Sequence, residues 1–340
     1  MTDTHDADAV FASLLDTIPA SASRRHAREL LRAAVDLVTN RPNTLDMKIA
    51  SAALREMTDA FAMFGGVPDD PKVSIFGSAR TQKEDPLYEA ARQVAARLAT
   101  KGWMVITGAG PGIMEAGMEG AGRERSIGVS IRLPFEQSAN PIIAGDQKYV
   151  SMKYFFTRKL MLIKESKGFV CLPGGFGTLD EMFELLTLTQ TGKGMPVPIV
   201  LLDVPGDPYW ETVDEFVREQ LVARGLVSPA DRHLYLITDS VEVAVDEITG
   251  FYRNFHSMRY VGDTLVIRLQ QAPTDEQLTM LNQQFEHLCK GCTITRVAAF
   301  PPEVRDNDNV GLQRIAFTFA KHGYGDLREL IDLCNTFVDA

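Results

Sequence analysis

Apolar residues in the first 70 positions recur with the period of an α-helix. One set is spaced at intervals of three and four residues, which places its side chains along one side of a helix. Its members are Met47, Ala50, Leu54, Met57, Phe61 and Phe64. Asn43 is suited to cap the start of this helix, and Gly65 and Gly66 are suited to end it. A second set between Ala27 and Val38 has the same spacing, so residues 1–70 are predicted to form a helical segment.

From residue 71 to residue 255, short apolar runs alternate with amphipathic stretches of helical length. The runs are residues 72–76, 103–107, 126–133, 168–172, 197–203 and 234–238. Strands that alternate with helices in this way indicate βαβ units and a parallel sheet. Because the strands are apolar without alternation, both faces of the sheet should be covered. We therefore predict an α/β domain with a Rossmann-like, doubly wound parallel sheet in the order 3-2-1-4-5. A loop should fill the interval from the third strand to about residue 150.

Residues 256–340 follow a different order of elements, β-α-β-β-α, which predicts a small α+β unit. The polar stretch at residues 301–311, PPEVRDNDNVG, lies between its second and third strands and is predicted to be a mobile loop. The chain is thus predicted to have three parts, with boundaries near residues 70 and 255.

The composition indicates a globular protein. With 35 basic and 45 acidic residues the formal charge is −10, and hydrophobic residues make up 45% of the chain. These values are typical of a globular protein and exclude a disordered or collagen-like chain. An acidic chain also lacks the basic surface that binding along a nucleic acid requires.

No run approaches the roughly 18 consecutive apolar residues that indicate a membrane-spanning helix. The first ten residues are acidic and lack the apolar core of a secretory signal. Four cysteines are too few for a disulfide framework, and the lone C-x-x-C at Cys289 and Cys292 has no second pair to complete a zinc site. The six histidines form no metal or triad motif. We therefore expect a cytoplasmic protein with no membrane contact and no metal site.

Three of the predicted strands end in turns that contain glycine. The residues are Gly77 and Ser78 after the first strand, Gly108, Gly110 and Gly112 after the second, and Pro173, Gly174, Gly175, Gly177 and Thr178 after the fourth. Glycine lets a ligand approach backbone N–H groups, and a helix N-terminus favours phosphate. One such turn alone is more often a packing feature, but in the predicted order all three border one crevice. The spacing matches neither the dinucleotide fingerprint nor a Walker loop, which favours a mononucleotide.

Arg158 emerges from an apolar helix face, because Phe155 precedes it and Leu162 follows it at helical spacing. An unpaired guanidinium there would be costly to bury, so Arg158 needs an anionic partner. That partner is a ligand or transition-state charge, or else an acidic side chain in a structural ion pair. A snorkelling side chain is a further alternative. For Lys159, next in sequence, snorkelling is favoured.

Glu181 follows Thr178 with the T-x-x-E spacing of a helix capping box. The alternative is that Glu181 projects into the crevice, with Glu184 one turn further along the same face. Two carboxylates beside a sugar suit glycosidic cleavage, because its transition state is cationic. Both interpretations stay open on the sequence alone.

Arg158 and Lys159, followed by PGGFGTLDE at residues 173–181, resemble the LOG family. These are Rossmann-like phosphoribohydrolases long mislabelled as lysine decarboxylases. The turns at residues 76–80 and 107–116 are similar to the family as well, and the resemblance covers about residues 70–250.

The resemblance implies hydrolysis of the N-glycosidic bond of a nucleoside 5′-monophosphate, such as AMP, to free base and ribose 5-phosphate. It implies that Thr178 and the backbone around it hold the 5′-phosphate. Glu181 would face the ribose and stabilise the oxocarbenium ion, and Arg158 would orient the nucleotide with Lys159 beside it. The far side of the site would be closed by Gly108, Gly110 and Gly112. The resemblance implies no metal or organic cofactor. It does imply that the protein forms a homo-oligomer.

The chain departs from the family at Phe155 and Phe156, where plant-like members carry Met-His, and at Ala109, where glycine is usual. These departures bear on which base is accepted. The same core also occurs in non-catalytic carriers of phosphorylated ligands, such as molybdenum-cofactor carrier proteins. A carrier or sensor of a nucleotide-like ligand is therefore the alternative function.

Overall fold

The computed structural model describes residues 13–14, 16–17, 23–40, 43–133 and 139–338. The chain forms two compact units, Met1–Asp59 and Ala60–Ala340. The boundaries expected near residues 70 and 255 stay predictions. Within the described part of the chain, no helix has the length and apolar character needed to cross a membrane.

The two helices predicted at the start of the chain are present, as α1 (Arg24–Thr39) and α2 (Thr44–Gly65). Oδ1 of Asn43 accepts a hydrogen bond from the N–H of Asp46 at 2.9 Å, so the predicted cap is formed. Because capping and glycine termination act within one turn, the sequence sufficed to predict both ends of α2.

Seven parallel strands form the main sheet. They are β1 (Lys72–Phe76), β2 (Met104–Thr107), β3 (Ser126–Ile131), β4 (Tyr149–Met152), β5 (Gly168–Cys171), β6 (Ile199–Leu202) and β7 (Leu236–Thr238). Their order is β4-β3-β2-β1-β5-β6-β7. Strands β5, β6 and β7 are the fourth, fifth and sixth predicted strands, because β4 was not predicted. The order therefore contains the predicted 3-2-1-4-5 with the sixth strand added at the end, and the doubly wound sheet is confirmed. The predicted loop ends at about residue 150, where β4 begins, but the strand itself was not predicted. It lies at the sheet edge and is only partly buried, which hides it from an apolar pattern.

Five helices connect strands of this sheet, and a sixth follows its last strand. They are α3 (Pro86–Thr100), α4 (Ile113–Ala121), α5 (Phe155–Glu165), α6 (Phe176–Gln190), α7 (Tyr209–Phe216) and α8 (Val241–Gly250). A π-helical turn, Val217–Val222, continues α7. Three of them, α3, α4 and α8, share one apolar core with the sheet, which includes Val73 and Ile75 of β1. Ser74 lies between those two and faces the opposite side, where its Oγ is 2.8 Å from the Oγ of Ser166 at the end of α5. Helices therefore cover both faces of the sheet.

The C-terminal part has its own antiparallel sheet in the order β10-β11-β9-β8. Its elements are β8 (Phe255–Val261), β9 (Thr264–Leu269), α9 (Asp275–Phe285), β10 (Thr295–Arg296), α10 (Pro301–Arg305), β11 (Gln313–Thr318) and α11 (Tyr324–Asn335). A separate apolar core fills the space between this sheet and its two long helices. Three short 3₁₀ helices complete the described chain at Arg123–Arg125, Pro229–Leu234 and Glu286–Leu288.

Two features of this part differ from the predicted β-α-β-β-α order. Strand β8 comes before the predicted elements and was not predicted, because polar residues such as His256 and Arg259 interrupt its apolar pattern. It nevertheless pairs with β9. Helix α10 occupies part of the predicted loop, and its residue Glu303 is fully buried.

Candidate active site

A cavity of about 840 Å³ lies at the carboxyl ends of the central strands, where the three glycine turns meet. Ten of the residues predicted for the site line it: Gly77, Ser78, Gly108, Gly110, Arg158, Gly174, Gly175, Gly177, Thr178 and Glu181. Four others do not line it: Gly112, Lys159, Pro173 and Glu184. The sheet order explains the convergence, since β2, β1 and β5 are neighbours and all end at the same edge.

The N-terminus of α6 opens onto this cavity. Helix α6 begins at Phe176 with Gly175 as its N-cap, and within the described residues no side chain caps it. The first N–H groups of a helix lack intrahelical acceptors and carry partial positive charge. A Cβ atom on Gly174 would lie 2.3 Å from Oγ1 of Thr178, so only glycine lets this turn fold onto the first helical residues. The arrangement is suited to an anion such as a phosphate.

The capping box proposed for Thr178 and Glu181 is not formed. Because Gly175 is the N-cap, Thr178 is already the third helical residue and cannot cap the helix. Glu181 instead accepts a hydrogen bond from Nη1 of Arg158 at 2.7 Å, the single hydrogen bond of its side chain within the described residues. The glutamate is therefore oriented by an arginine from another helix.

Arg158 of α5 is held from three sides. Its Nε donates to the carbonyl of Val129 in β3 at 3.1 Å, and its Nη1 donates to Glu181. On the third side, a Cβ atom on Gly108 would lie 2.6 Å from Nη2 of Arg158, so the guanidinium rests directly on the glycine turn. Gly108 thus makes room for Arg158. The anionic partner that the sequence required for Arg158 is the carboxylate of Glu181.

The Arg158–Glu181 pair is nearly buried, with side chains 9% and 11% exposed. Burial raises the pKa of the Glu181 carboxyl above its usual value, and the neighbouring charges of Arg158 and Lys159 offset only part of the rise. A buried carboxylate with a perturbed pKa beside an anion-binding turn is typical of an active site.

The other predicted pair lies outside the cavity lining. Lys159 Nζ is 2.7 Å from Oδ2 of Asp180 and 2.7 Å from Oε2 of Glu184. These contacts join α5 to α6 beside the cavity. Lys159 and Glu184 are thus brought together by the structure outside the lining, and Asp180, which does line the cavity, joins Lys159 to it.

Gly112 connects two of the turns. Its φ is +67°, and a Cβ atom there would lie 2.4 Å from the carbonyl oxygen of Ser78. The N–H of Ile113 donates to that same oxygen at 3.0 Å. The first turn is joined to the third as well, because the N–H of Ser78 donates to the carbonyl of Pro173 at 3.3 Å. Gly112 and Pro173 therefore hold the turns in place from behind the lining.

Two parts of the site were missed by the sequence analysis. Tyr209 at the start of α7 donates its hydroxyl to the carbonyl of Gly174 at 2.6 Å and so supports the turn before α6. Ser130 and Tyr149 line the cavity at the ends of β3 and β4, with their hydroxyl oxygens 2.8 Å apart. No local pattern marks these residues, since each lies far along the chain from its partner.

The chain is similar to known proteins over part of its sequence. The family model described as "Possible lysine decarboxylase" matches residues 112–248. A probable cytokinin riboside 5′-monophosphate phosphoribohydrolase of Oryza sativa subsp. japonica is 30% identical over 198 residues, covering 55% of this chain and 84% of the rice protein. A cytokinin riboside 5′-monophosphate phosphoribohydrolase of Arabidopsis thaliana is 26% identical over 184 residues, covering 53% of this chain and 83% of that protein.

Among solved structures, the molybdenum cofactor carrier protein of Chlamydomonas reinhardtii is 20% identical, covers 53% of this chain and 96% of its own, and has a TM-score of 0.37. The molybdenum cofactor binding protein of Rippkaea orientalis is 19% identical, with coverage of 53% and 95% and the same TM-score of 0.37. Likeness at that level does not bear on function. The sequence relatives do, because the rice protein is matched over most of its length at 30% identity. The chain belongs to the LOG family, whose curated members are named phosphoribohydrolases.

Proposed function

We propose that the protein hydrolyses the N-glycosidic bond of a nucleoside 5′-monophosphate and releases the free base and ribose 5-phosphate. One observation carries the proposal: the nearly buried Arg158–Glu181 pair and the uncapped N-terminus of α6 line the same cavity. A phosphate site beside a buried carboxylate is what this reaction requires, because the substrate is anionic at one end and becomes cationic at C1′.

The 5′-phosphate binds at the start of α6. The donors at this N-terminus are the backbone N–H groups of residues 175–177 and the hydroxyl of Thr178, and Ser78 lines the same cavity from the first turn. The N-terminus of α6 at the cavity is suited to bind one phosphate group.

The base extends towards β3 and β4. Neighbouring strands lie about 4.8 Å apart, so β3, three strands away from β5 in the sheet, is roughly 14 Å from the phosphate end. Arg158 and Glu181 lie between the two ends, since Arg158 contacts both β3 and α6. The ribose then lies at Glu181, and the Ser130 and Tyr149 hydroxyls can exchange hydrogen bonds with the base.

The chemistry follows from this placement. As the bond from C1′ to the base nitrogen breaks, positive charge develops on the ribose and the carboxylate of Glu181 stabilises it. The oxygen of a water molecule then forms the new bond to C1′. One of the water's protons stays on that oxygen as the new C1′ hydroxyl, and the other ends on the released base nitrogen. Arg158 keeps Glu181 oriented and favours its ionised form. Water is the only co-substrate that this step consumes.

The test is to incubate the purified protein with a panel of nucleoside 5′-monophosphates and the matching nucleosides and to measure released base by chromatography. Release from monophosphates and not from nucleosides is the expected result. Binding of a monophosphate without release of base would overturn the proposal and indicate the alternative, a carrier or sensor of a nucleotide-like ligand. The assembly of the protein as a homo-oligomer also stays a prediction, which light scattering on the same sample would check.

A further inference from the structure

Four side chains meet on the surface formed by α11 and two of the 3₁₀ helices. One donor atom each from His233, Asp326 and Glu329 lies within 4.8 Å of the other two. Nδ1 of His233 is 3.2 Å from Oε2 of Glu329, and Nε2 of His287 is 3.3 Å from Oδ2 of Asp326. One imidazole and two carboxylates thus form a cluster, and a second imidazole, that of His287, contacts it through Asp326.

The backbone holds these side chains in position. His233 belongs to the 3₁₀ helix Pro229–Leu234, and a Cβ atom on Gly325 would lie 1.9 Å from the carbonyl oxygen of Ala230. Helix α11 therefore touches that 3₁₀ helix backbone to backbone, one residue before Asp326. His287 is anchored by the next residue, Leu288, which is fully buried in the C-terminal core. The cluster is assembled by packing and does not depend on its own ion pairs.

We propose that His233, Asp326 and Glu329 bind one divalent transition-metal ion of the zinc type, and that His287 orients Asp326 without itself being a ligand. Zn²⁺ accepts imidazole nitrogen and carboxylate oxygen, whereas Ca²⁺ and Mg²⁺ prefer oxygen alone. In a tetrahedral zinc site with bonds of about 2.0–2.1 Å, neighbouring donor atoms are roughly 3.3 Å apart. Nδ1 of His233 and Oε2 of Glu329, 3.2 Å apart, match that spacing, and the donor atom of Asp326 lies within 4.8 Å of both.

The proposed metal site lies between the main sheet and the C-terminal part. His233 precedes β7 of the main sheet, whereas the other ligands belong to the C-terminal α+β part, so the metal joins the two. All four residues lie outside the lining of the active-site cavity. The metal is therefore a structural clamp, and its binding is independent of the proposed hydrolysis.

The test uses the full chain with Cys289→Ser and Cys292→Ser, because thiols would bind zinc on their own account. After removal of metal with a chelator, the protein is titrated with Zn²⁺ by calorimetry and with Co²⁺ by visible absorption. We expect one equivalent of Zn²⁺, a Co²⁺ spectrum typical of a four-coordinate nitrogen and oxygen site, and a higher melting temperature with Zn²⁺ bound.

His233→Ala and Glu329→Gln should each weaken Zn²⁺ binding at least tenfold, in line with the loss of one ligand. His26→Ala on α1 is the matched histidine control and should leave binding unchanged. Both altered residues are half-exposed, so the variants should fold, which their melting temperatures without metal will show. The proposal is overturned if the cysteine-free protein binds no Zn²⁺ at micromolar concentration, or if binding is the same in the His233→Ala and Glu329→Gln variants. Either result would leave two surface His–carboxylate pairs only.

Discussion

Two regions of the molecule bury a glutamate beside arginine, and they do so in opposite ways. In the C-terminal sheet, Glu303 is fully buried between Arg268 and Arg314. Its Oε1 accepts from Nε and Nη2 of Arg268 at 3.0 and 2.7 Å and from Nε of Arg314 at 3.3 Å. In the active-site cavity, Glu181 has one hydrogen bond within the described residues, from Arg158.

The pKa values of the two carboxyls move in opposite directions. Burial alone would raise the pKa of Glu303, but the backbone N–H of Phe300 and the two guanidinium groups lower it below its usual value. Burial raises the pKa of Glu181, and Arg158 offsets only part of that rise. A carboxylate whose hydrogen-bonding capacity is filled stabilises the fold. A carboxylate such as that of Glu181, which lines a cavity and accepts only one hydrogen bond from the described residues, is available to interact with a substrate.

The largest expected effect is on Glu181. Glu181→Gln should lower kcat about 10³-fold, because the amide cannot stabilise a cationic transition state electrostatically. Nucleotide affinity should stay within about tenfold, since the phosphate site is intact. Steady-state kinetics and calorimetry on the same preparation measure both.

Glu184→Gln tests whether one carboxylate or two take part in the reaction. Both glutamates lie on one helix face, but Glu184 contacts Lys159 and lies outside the cavity lining. Its variant should keep kcat. An equal loss in the two variants would show that neither carboxylate has the specific role proposed for Glu181.

Glu303→Gln should have the converse result. Removing the charge leaves Arg268 and Arg314 buried beside a neutral amide, which should lower the free energy of unfolding by roughly 3 kcal/mol. The folded variant should retain kcat, because Glu303 does not line the cavity. Denaturant unfolding gives the first quantity and activity per folded molecule the second. A fall in kcat without a change in stability would contradict the structural role.

Gly108→Ala should have a smaller effect on activity. The added methyl would lie 2.6 Å from Nη2 of Arg158 and must displace the guanidinium from Glu181. We expect kcat to fall roughly tenfold to hundredfold, because a misplaced catalytic group costs about that much. In an Arg158→Ala background the same substitution should have little further effect, and additive losses in the double variant would indicate that Gly108 acts on something other than Arg158.

These comparisons also show which parts of the site the sequence could predict. The strands and the three glycine turns were predicted from apolar runs and glycines, which are local signals. The strand order, and with it the meeting of the turns, was inferred from the fold class. The pairing of Arg158 with Glu181 was left open, because 23 residues separate them and the capping box was an equal local interpretation. The start of α6 at Phe176 settles that choice, and it is fixed by how the turn before it packs on Thr178.

The stretch at residues 301–311 shows the same limit in the C-terminal part. Its polar composition predicted a mobile loop. In the structure, Glu303 is buried and the guanidinium of Arg314 donates to backbone carbonyls of the loop, including that of Asn309 at 2.7 Å. Arginines on the sheet face are therefore what order it, and their partners lie too far along the chain to be identified from local composition.

The smallest effect, and the one that separates the two glutamates most directly, is in the pH dependence. Glu181 must be ionised to act, and its pKa is raised, so kcat should fall on the acid side with a midpoint above the ordinary glutamate value of about 4.3. Glu303 has a lowered pKa, so its contribution to stability is complete above the unfolded-state value and is lost only as the pH falls below it towards the folded-state pKa. Activity should therefore disappear at a higher pH than stability, which leaves an interval in which the protein is folded and inactive. Measuring kcat and the melting temperature across the same buffers tests this, and coincident acid limbs would mean that the loss of activity is only unfolding.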